Sequence, residues 1–208
     1  MLHAVNSAKR AQAKSARYDG FEIDLNRHNG RLIVAHDEKD FSNAPTLEDI
    51  FSAIENPEQK TYWIDLKVPL TSEDIASIER IAARYKINPR KIFFETVGGE
   101  TARMLTQSGF PILLPTPAGF EEDGNDSQKR ALLNAQLEEM IHQYHPFAIA
   151  ASIGKYPYLQ AYFPHYNKAI YSSTTARPSL KKYFLAKAMF QDPKVFIFMQ
   201  EEYTSLPF

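Results

Sequence analysis

Three carboxylates and one lysine carry the most distinctive chemistry this sequence makes available. Glu22 and Asp24 are two residues apart in Phe21-Glu22-Ile23-Asp24-Leu25, and Asp65 and Lys67 are two apart in Ile64-Asp65-Leu66-Lys67. Side chains along a strand alternate between faces, so each pair shares a face and the apolar residues between them take the other. Adjacent strands run about 4.8 Å apart, which predicts that Glu22, Asp24 and Asp65 converge. Like charges brought together disfavour ionisation, so without help at least one of the three must hold a proton. A divalent cation removes that conflict. The chain has no cysteine, and an all-oxygen donor set suits a hard ion, Mg²⁺ or Ca²⁺, completed by water and substrate oxygens. Lys67 has two readings: it holds a second anion such as a phosphate, or it closes a buried ion-pair network with the carboxylates.

Histidine titrates near neutrality, and His3 and His36 are expected to flank the carboxylate cluster, which makes them the candidates for proton transfer. Asn6 lies beside His3, and Glu95 ends a further apolar run, Phe93-Phe94-Glu95-Thr96. His28, His142, His145 and His165 take no assigned role. The hydroxyls of Tyr171-Ser172-Ser173-Thr174-Thr175 have no histidine or acid at a triad spacing, which argues against a serine nucleophile. Gln200, Glu201 and Glu202 are weak candidates for a pocket rim.

The elements that must position these groups are short apolar runs alternating with longer amphipathic ones. Strands are expected over 2–6, 21–25, 62–67, 91–97, 111–115, 147–152, 169–173 and 195–200. Helices are expected over 8–17, 46–55, 72–85, 100–108, 128–144, 157–163 and 179–190. Thr71-Ser72-Glu73-Asp74 supplies a helix start, and Ser108-Gly109 with Pro111 beyond supplies a stop. Asn29-Gly30 predicts a tight hairpin after the second strand, carrying His36 on its far side. Eight strands alternating with helices predict an α/β fold, a compact (β/α)₈ TIM barrel, as a single domain over 1–208. In that fold the site lies at the C-terminal strand ends. An open doubly wound sheet is the rival, but its glycine-rich first turn is replaced here by Asn6-Ser7-Ala8. The acidic run 121–126 reads as a solvated loop, and the aromatic stretch 156–164 as a short helix packed on the barrel.

Composition narrows the partners. The 208 residues carry 24 Lys plus Arg against 25 Asp plus Glu, a net charge of −1. That balance argues against nucleic-acid binding. With 44% hydrophobic and 12% aromatic residues, a folded core is expected and disorder is not. No run is long and apolar enough to span a bilayer. Met1–Asn6 turns polar too soon to be a signal peptide, so the expected location is cytoplasmic. About 26 residues per βα unit leaves little room for inserted domains. Specificity is therefore expected from the hairpin near His36 and the loops after strands five and six.

His3, Glu22-x-Asp24, His36-Asp37 and Asp65-Leu66-Lys67, in that order, resemble the phospholipase C-like phosphodiesterase superfamily, in particular glycerophosphodiester phosphodiesterases. The resemblance covers about the first third of the chain. It departs at the first motif: that family opens His-Arg-Gly, whereas His3 is followed by Ala4-Val5-Asn6. His-x-Val-Asn with Asp-Leu-Lys is similar to sphingomyelinase D-type phospholipases, and His-Ala-Val-Asn-Ser resembles the menorin proteins. The resemblance implies a (β/α)₈ barrel, Mg²⁺ on Glu22, Asp24 and Asp65, His3 and His36 as acid and base, and Lys67 on the phosphate. It also implies cleavage of a glycerophosphodiester or lysophospholipid-type substrate, by water or through a cyclic phosphate. Asn6 is expected to supply part of what the missing arginine gives, and Glu95 to position a substrate hydroxyl. Two other classes are carried alongside: a non-catalytic binding or scaffold barrel that keeps the motif residues, and a metal-dependent barrel lyase or isomerase acting on a sugar.

Overall fold

The computed structural model describes residues 1–120, 127–172 and 180–200. The acidic run 121–126, the hydroxyl residues 173–175 and Glu201-Glu202 lie outside the described residues. The chain forms two compact units, the first covering Met1–Ile112 and the second beginning at Leu113. Both are mixed α/β.

In the first unit, α1 (Ala8–Lys14) precedes β1 (Gly20–His28), β2 (Arg31–Val34), α2 (Leu47–Ala53), β3 (Thr61–Leu66), α3 (Ser72–Arg84), β4 (Ile92–Glu95) and α4 (Gly99–Gln107). The strand order is β2-β1-β3-β4. β1 runs antiparallel to β2 and parallel to β3, and β3 runs parallel to β4. The hairpin closes as the sequence predicts: His28 pairs with Arg31, and Asn29 and Gly30 between them have φ of 49° and 75°. Asparagine and glycine tolerate that left-handed region better than other residues. Seven of the eight strands expected from the sequence form. Residues 2–6 do not make a ladder; Leu2 makes one bridge to Phe21. The eighth strand is the hairpin partner β2, so the run of strands is not uniformly parallel.

The local signals explain the boundaries. Thr46 and Asp49 form a capping box at α2, and Thr71 and Asp74 form another at α3, each satisfying amides the helix itself cannot. Gly109 takes φ of 79° just past α4, a conformation that terminates a helix at little cost for glycine. Apolar side chains on β1, β3 and α3 then fill the interior: Phe21, Ile23, Leu25, Tyr62, Trp63, Ile64 and Ile78 are fully buried. Burying each such side chain contributes roughly 1.5–3 kcal/mol. Gly20 marks a close approach, since a Cβ there would stand 2.5 Å from the Thr61 carbonyl oxygen on β3.

The second unit contains β5 (Ile112–Pro115, apart from its first residue), α5 (Ser127–Tyr144), β6 (Ala148–Ser152), α6 (Tyr156–Tyr162), β7 (Lys168–Ser172), α7 (Leu180–Gln191) and β8 (Val195–Gln200). Its strands are parallel in the order β5-β6-β7-β8. The aromatic stretch behaves as expected: Tyr156, Leu159 and Phe163 are buried with Leu133, Leu137, Ile149 and Ile170. Lys168 is buried at the start of β7, donating to the Tyr166 carbonyl at 3.1 Å with Asp192 at 3.8 Å. Among the described residues no helix is long and apolar enough to cross a membrane.

Candidate active site

Parallel register brings the acidic pairs together. Asp24 on β1 stands opposite Asp65 on β3, and Asp65 in turn stands opposite Glu95 on β4. Glu22 lies two residues before Asp24 on the same face. One carboxylate oxygen from each of Glu22, Asp24 and Asp65 lies within 4.8 Å of the others. Glu22 and Asp24 are buried, at 2% and 3% exposure, while Asp65 is partly open. All of these residues belong to the first unit.

Lys67 joins the cluster as its spacing predicts. Its Nζ donates to Asp65 Oδ2 at 2.5 Å and lies 2.8 Å from Asp24 Oδ1. Burial disfavours the ammonium, but the bonds to Asp24 and Asp65 outweigh that and hold its pKa above the ordinary lysine value. One lysine cancels only one of three carboxylate charges. Burial, followed by the charges of Asp24 and Asp65, pushes Glu22 well above the ordinary carboxylate range, against the opposing pull of the Ala4 amide and Lys67. Glu95 is raised to about 7, first by burial and then by Asp65, although Trp63 Nε1 donates to its Oε2 at 2.9 Å.

The segment before α1 grips both buried acids. The Ala4 amide donates to Glu22 Oε2 at 2.6 Å. Asn6 uses both ends of its amide on Asp24: Nδ2 donates to Oδ2 at 2.5 Å, and Oδ1 accepts from the Asp24 main-chain N–H at 3.0 Å. This explains why residues 2–6 fail to form the expected strand. Ala4 takes φ of 54°, which breaks the extended run and turns its N–H from a ladder position toward a carboxylate. His3 sits at the edge of the cluster, with Nε2 3.8 Å from Glu22 Oε2 and about a third of its side chain exposed.

His36 is placed differently. Its Nδ1 bonds Asp37 Oδ1 at 2.8 Å, and the ring is 62% exposed. Since an ionised carboxylate only accepts, Nδ1 carries the proton in that bond, and in the neutral ring Nε2 is left as the acceptor. His36 lines a cleft of about 330 Å³ of mixed character, in which Asn6, Lys39, Asp40 and Asn43 stand beside Val34 and Pro45. Asn6 is therefore shared between the cleft and the carboxylate cluster.

Two features escaped the sequence reading. The Ala4 amide is a main-chain group, and residue type cannot announce it. Buried Trp63 shares its strand face with Asp65, and that its indole reaches Glu95 follows only from the register of β3 and β4.

The donor set fits a hard divalent cation. Three oxygen ligands converge, two are buried, and Lys67 alone cannot balance all three when they are ionised. Glu22, Asp24 and Asp65 would hold such an ion.

No protein-family model matches the chain and no curated protein does. Solved structures do match. A glycerophosphodiester phosphodiesterase from Parabacteroides distasonis aligns over 96% of this chain and 91% of its own, with a TM-score of 0.58 and 13% identity. A phosphodiesterase from Oleispira antarctica, solved with the product sn-glycerol-3-phosphate, aligns over 97% and 92%, with a TM-score of 0.58 and 10% identity. An orotidine 5'-monophosphate decarboxylase from Sulfolobus solfataricus aligns over 96% and 86%, with a TM-score of 0.53 and 11% identity. In fold, then, the chain is similar to the glycerophosphodiester phosphodiesterases.

Proposed function

We propose that this chain is a metal-dependent phosphodiesterase, built as one (β/α)₈ barrel domain over 1–208, that cleaves a glycerophosphodiester or a lysophospholipid-type headgroup. The observation that carries this reading is the convergence of Glu22, Asp24 and Asp65 within 4.8 Å, with Lys67 bonded to two of them and His3 beside the third. The fold similarity to phosphodiesterases, one of them holding sn-glycerol-3-phosphate, supports it. A bound Mg²⁺, or Ca²⁺ in its place, supplies electrostatic stabilisation of charge developing on a nonbridging phosphate oxygen.

The residues divide the remaining work. Lys67 holds an anionic phosphate oxygen. His36, with Nε2 as acceptor, takes a proton from the attacking hydroxyl or water, and Asp37 steadies the imidazolium that results. His3, starting as the imidazolium with Glu22 beside it, gives its proton to the leaving alkoxide. The roles of the two histidines exchange if a cyclic phosphate forms first and water opens it. Asn6, which also lines the cleft, holds Asp24 in place, and Glu95, partly protonated near neutrality, positions a substrate hydroxyl.

Turnover of glycerophosphodiesters and lysophospholipids, followed by phosphorus NMR with and without EDTA, tests the reading. Chelator-sensitive cleavage is expected, with any cyclic product seen directly. A second reading has one observation in its favour: Lys67 already bridges Asp24 and Asp65, as it would in a non-catalytic binding barrel that keeps the motif residues. Binding of a phosphate ester without cleavage, in the presence of Mg²⁺, would select that reading.

A further inference from the structure

We propose that Arg10 is a positioning residue that locks the left-handed turn at Ala4 and thereby fixes the Glu22 carboxylate. Three hydrogen bonds define this turn. The peptide before Ala4 presents its N–H to Glu22 Oε2 at 2.6 Å. The peptide after Ala4 is held on both sides: the Val5 N–H donates to the Glu22 main-chain oxygen at 2.9 Å, and the Ala4 carbonyl accepts from Arg10 Nη1 at 3.1 Å. Rotation about Ala4 would break at least one of the three. Arg10 is in turn anchored in the first turn of α1, where its own amide donates to Ser7 Oγ at 3.3 Å.

The need for such a lock follows from the conformation. Ala4 has φ of 54°, where the Cβ of an L-residue crowds the backbone and glycine would not. Glycine is absent from this turn, so the strain must be balanced by contacts. The Arg10 bond to the carbonyl is one of them, and a guanidinium donor makes a stronger bond than a neutral one. Without it, Ala4 relaxes toward an ordinary φ, its N–H leaves Glu22, and the carboxylate loses the donor that aims it. Arg10 pairs with no carboxylate of the cluster among the described residues; it acts through the Ala4 backbone.

The inference rests on the metal reading of the site for its functional consequence, but its structural core can be read without metal. The experiment compares the wild type with Arg10→Ala, Arg10→Lys, Ala4→Gly and the Ala4→Gly/Arg10→Ala double variant. Hydrogen exchange at the residue 4 amide, measured by NMR in the presence of EDTA, is the first readout. Mg²⁺ affinity, followed through the single tryptophan Trp63, is the second. Arg10→Ala is expected to lose amide protection and to weaken Mg²⁺ binding roughly tenfold. Arg10→Lys should retain most of both. Glycine adopts the left-handed turn freely, so the double variant should recover amide protection and most of the affinity.

Unchanged amide protection in Arg10→Ala overturns the proposal. So does a loss of Mg²⁺ affinity that Ala4→Gly fails to restore, since Arg10 would then act through its charge. If Arg10→Ala does not fold, a double variant that folds supports the lock and one that does not overturns it. If the wild type binds no Mg²⁺ while amide protection follows the expected pattern, the metal reading fails and the positioning role of Arg10 stands.

Discussion

Asp24 and Asp65 face each other across adjacent parallel strands and share the ammonium of Lys67. Two aspartates opposed on a sheet repel unless a cation lies between them. Lys67 is that cation, and it is supplied from the residue just beyond the end of β3. The sequence Asp-Leu-Lys thus carries both the charge and its partner on one face of the sheet.

Replacing Lys67 by methionine tests how much the cluster depends on this contact. Buried ion pairs lose about 3–5 kcal/mol when one partner is removed, because the remaining charge is left uncompensated. Lys67 is only partly buried, so a smaller loss of about 1–3 kcal/mol is expected in EDTA. Mg²⁺ should restore much of it. Thermal melts with and without Mg²⁺ provide the check, and equal destabilisation in both conditions would argue against a cation site beside Lys67.

Glu22→Gln removes the most burdened charge of the cluster. Above the ordinary glutamate range the wild-type carboxylate is either ionised at a cost or protonated, and the amide avoids both. The metal-free variant is therefore expected to be at least as stable as the wild type at pH 8. Its Mg²⁺ affinity should fall by roughly tenfold or more, since one of three charged ligands is lost. Calorimetric titration measures this, and unchanged affinity would remove Glu22 from the ligand set.

Glu95 gives a stability profile with a definite sign. Its pKa rises from 4.5 in the unfolded chain to about 7 in the fold. Between those values the folded state binds the proton and the unfolded state has lost it, so stability declines as pH rises from 4.5 to about 7. The full effect is on the order of 3 kcal/mol and persists above that window. Glu95→Gln keeps an oxygen for Trp63 and should flatten this decline in EDTA. Urea denaturation at several pH values, compared between the two proteins, reads the difference directly.

His36→Ala separates catalysis from folding. The side chain is 62% exposed and bonds only its neighbour Asp37 among the described contacts, so stability should change by less than about 0.5 kcal/mol. Loss of a general acid or base typically lowers turnover by about 10²–10⁴. Phosphodiester cleavage at near wild-type rates by the folded variant would exclude His36 from proton transfer.

Gly20→Ala probes the strand contact beneath the site. The new Cβ would meet the Thr61 carbonyl at 2.5 Å, a backbone atom with little freedom to move. A loss of about 1–3 kcal/mol is expected. Chemical denaturation measures it, and a neutral result would mean that β1 and β3 separate more easily than their register suggests.

The strands, helices and caps of the first unit were legible because their signals are local. Alternation placed Glu22 with Asp24 and Asp65 with Lys67, Asn29-Gly30 fixed the hairpin, and Thr71 with Asp74 marked the start of α3. Residues 2–6 depart from the strand their pattern predicts for a reason that is not local. Leu2-His3-Ala4-Val5-Asn6 has the apolar content of a strand, and only contacts with Glu22, Asp24 and Arg10 make a left-handed Ala4 worthwhile.

By itself, the sequence determined which side chains could do chemistry and which faces they share, because residue type and a two-residue period are properties of the chain. Tertiary structure decided how they meet. Register set Asp24 against Asp65 and Asp65 against Glu95, and a turn in the backbone delivered the Ala4 amide to Glu22 while leaving His36 in an open cleft. Those outcomes depend on hydrogen bonds between residues 18 or more apart in sequence, and no periodicity within either segment encodes such a pairing.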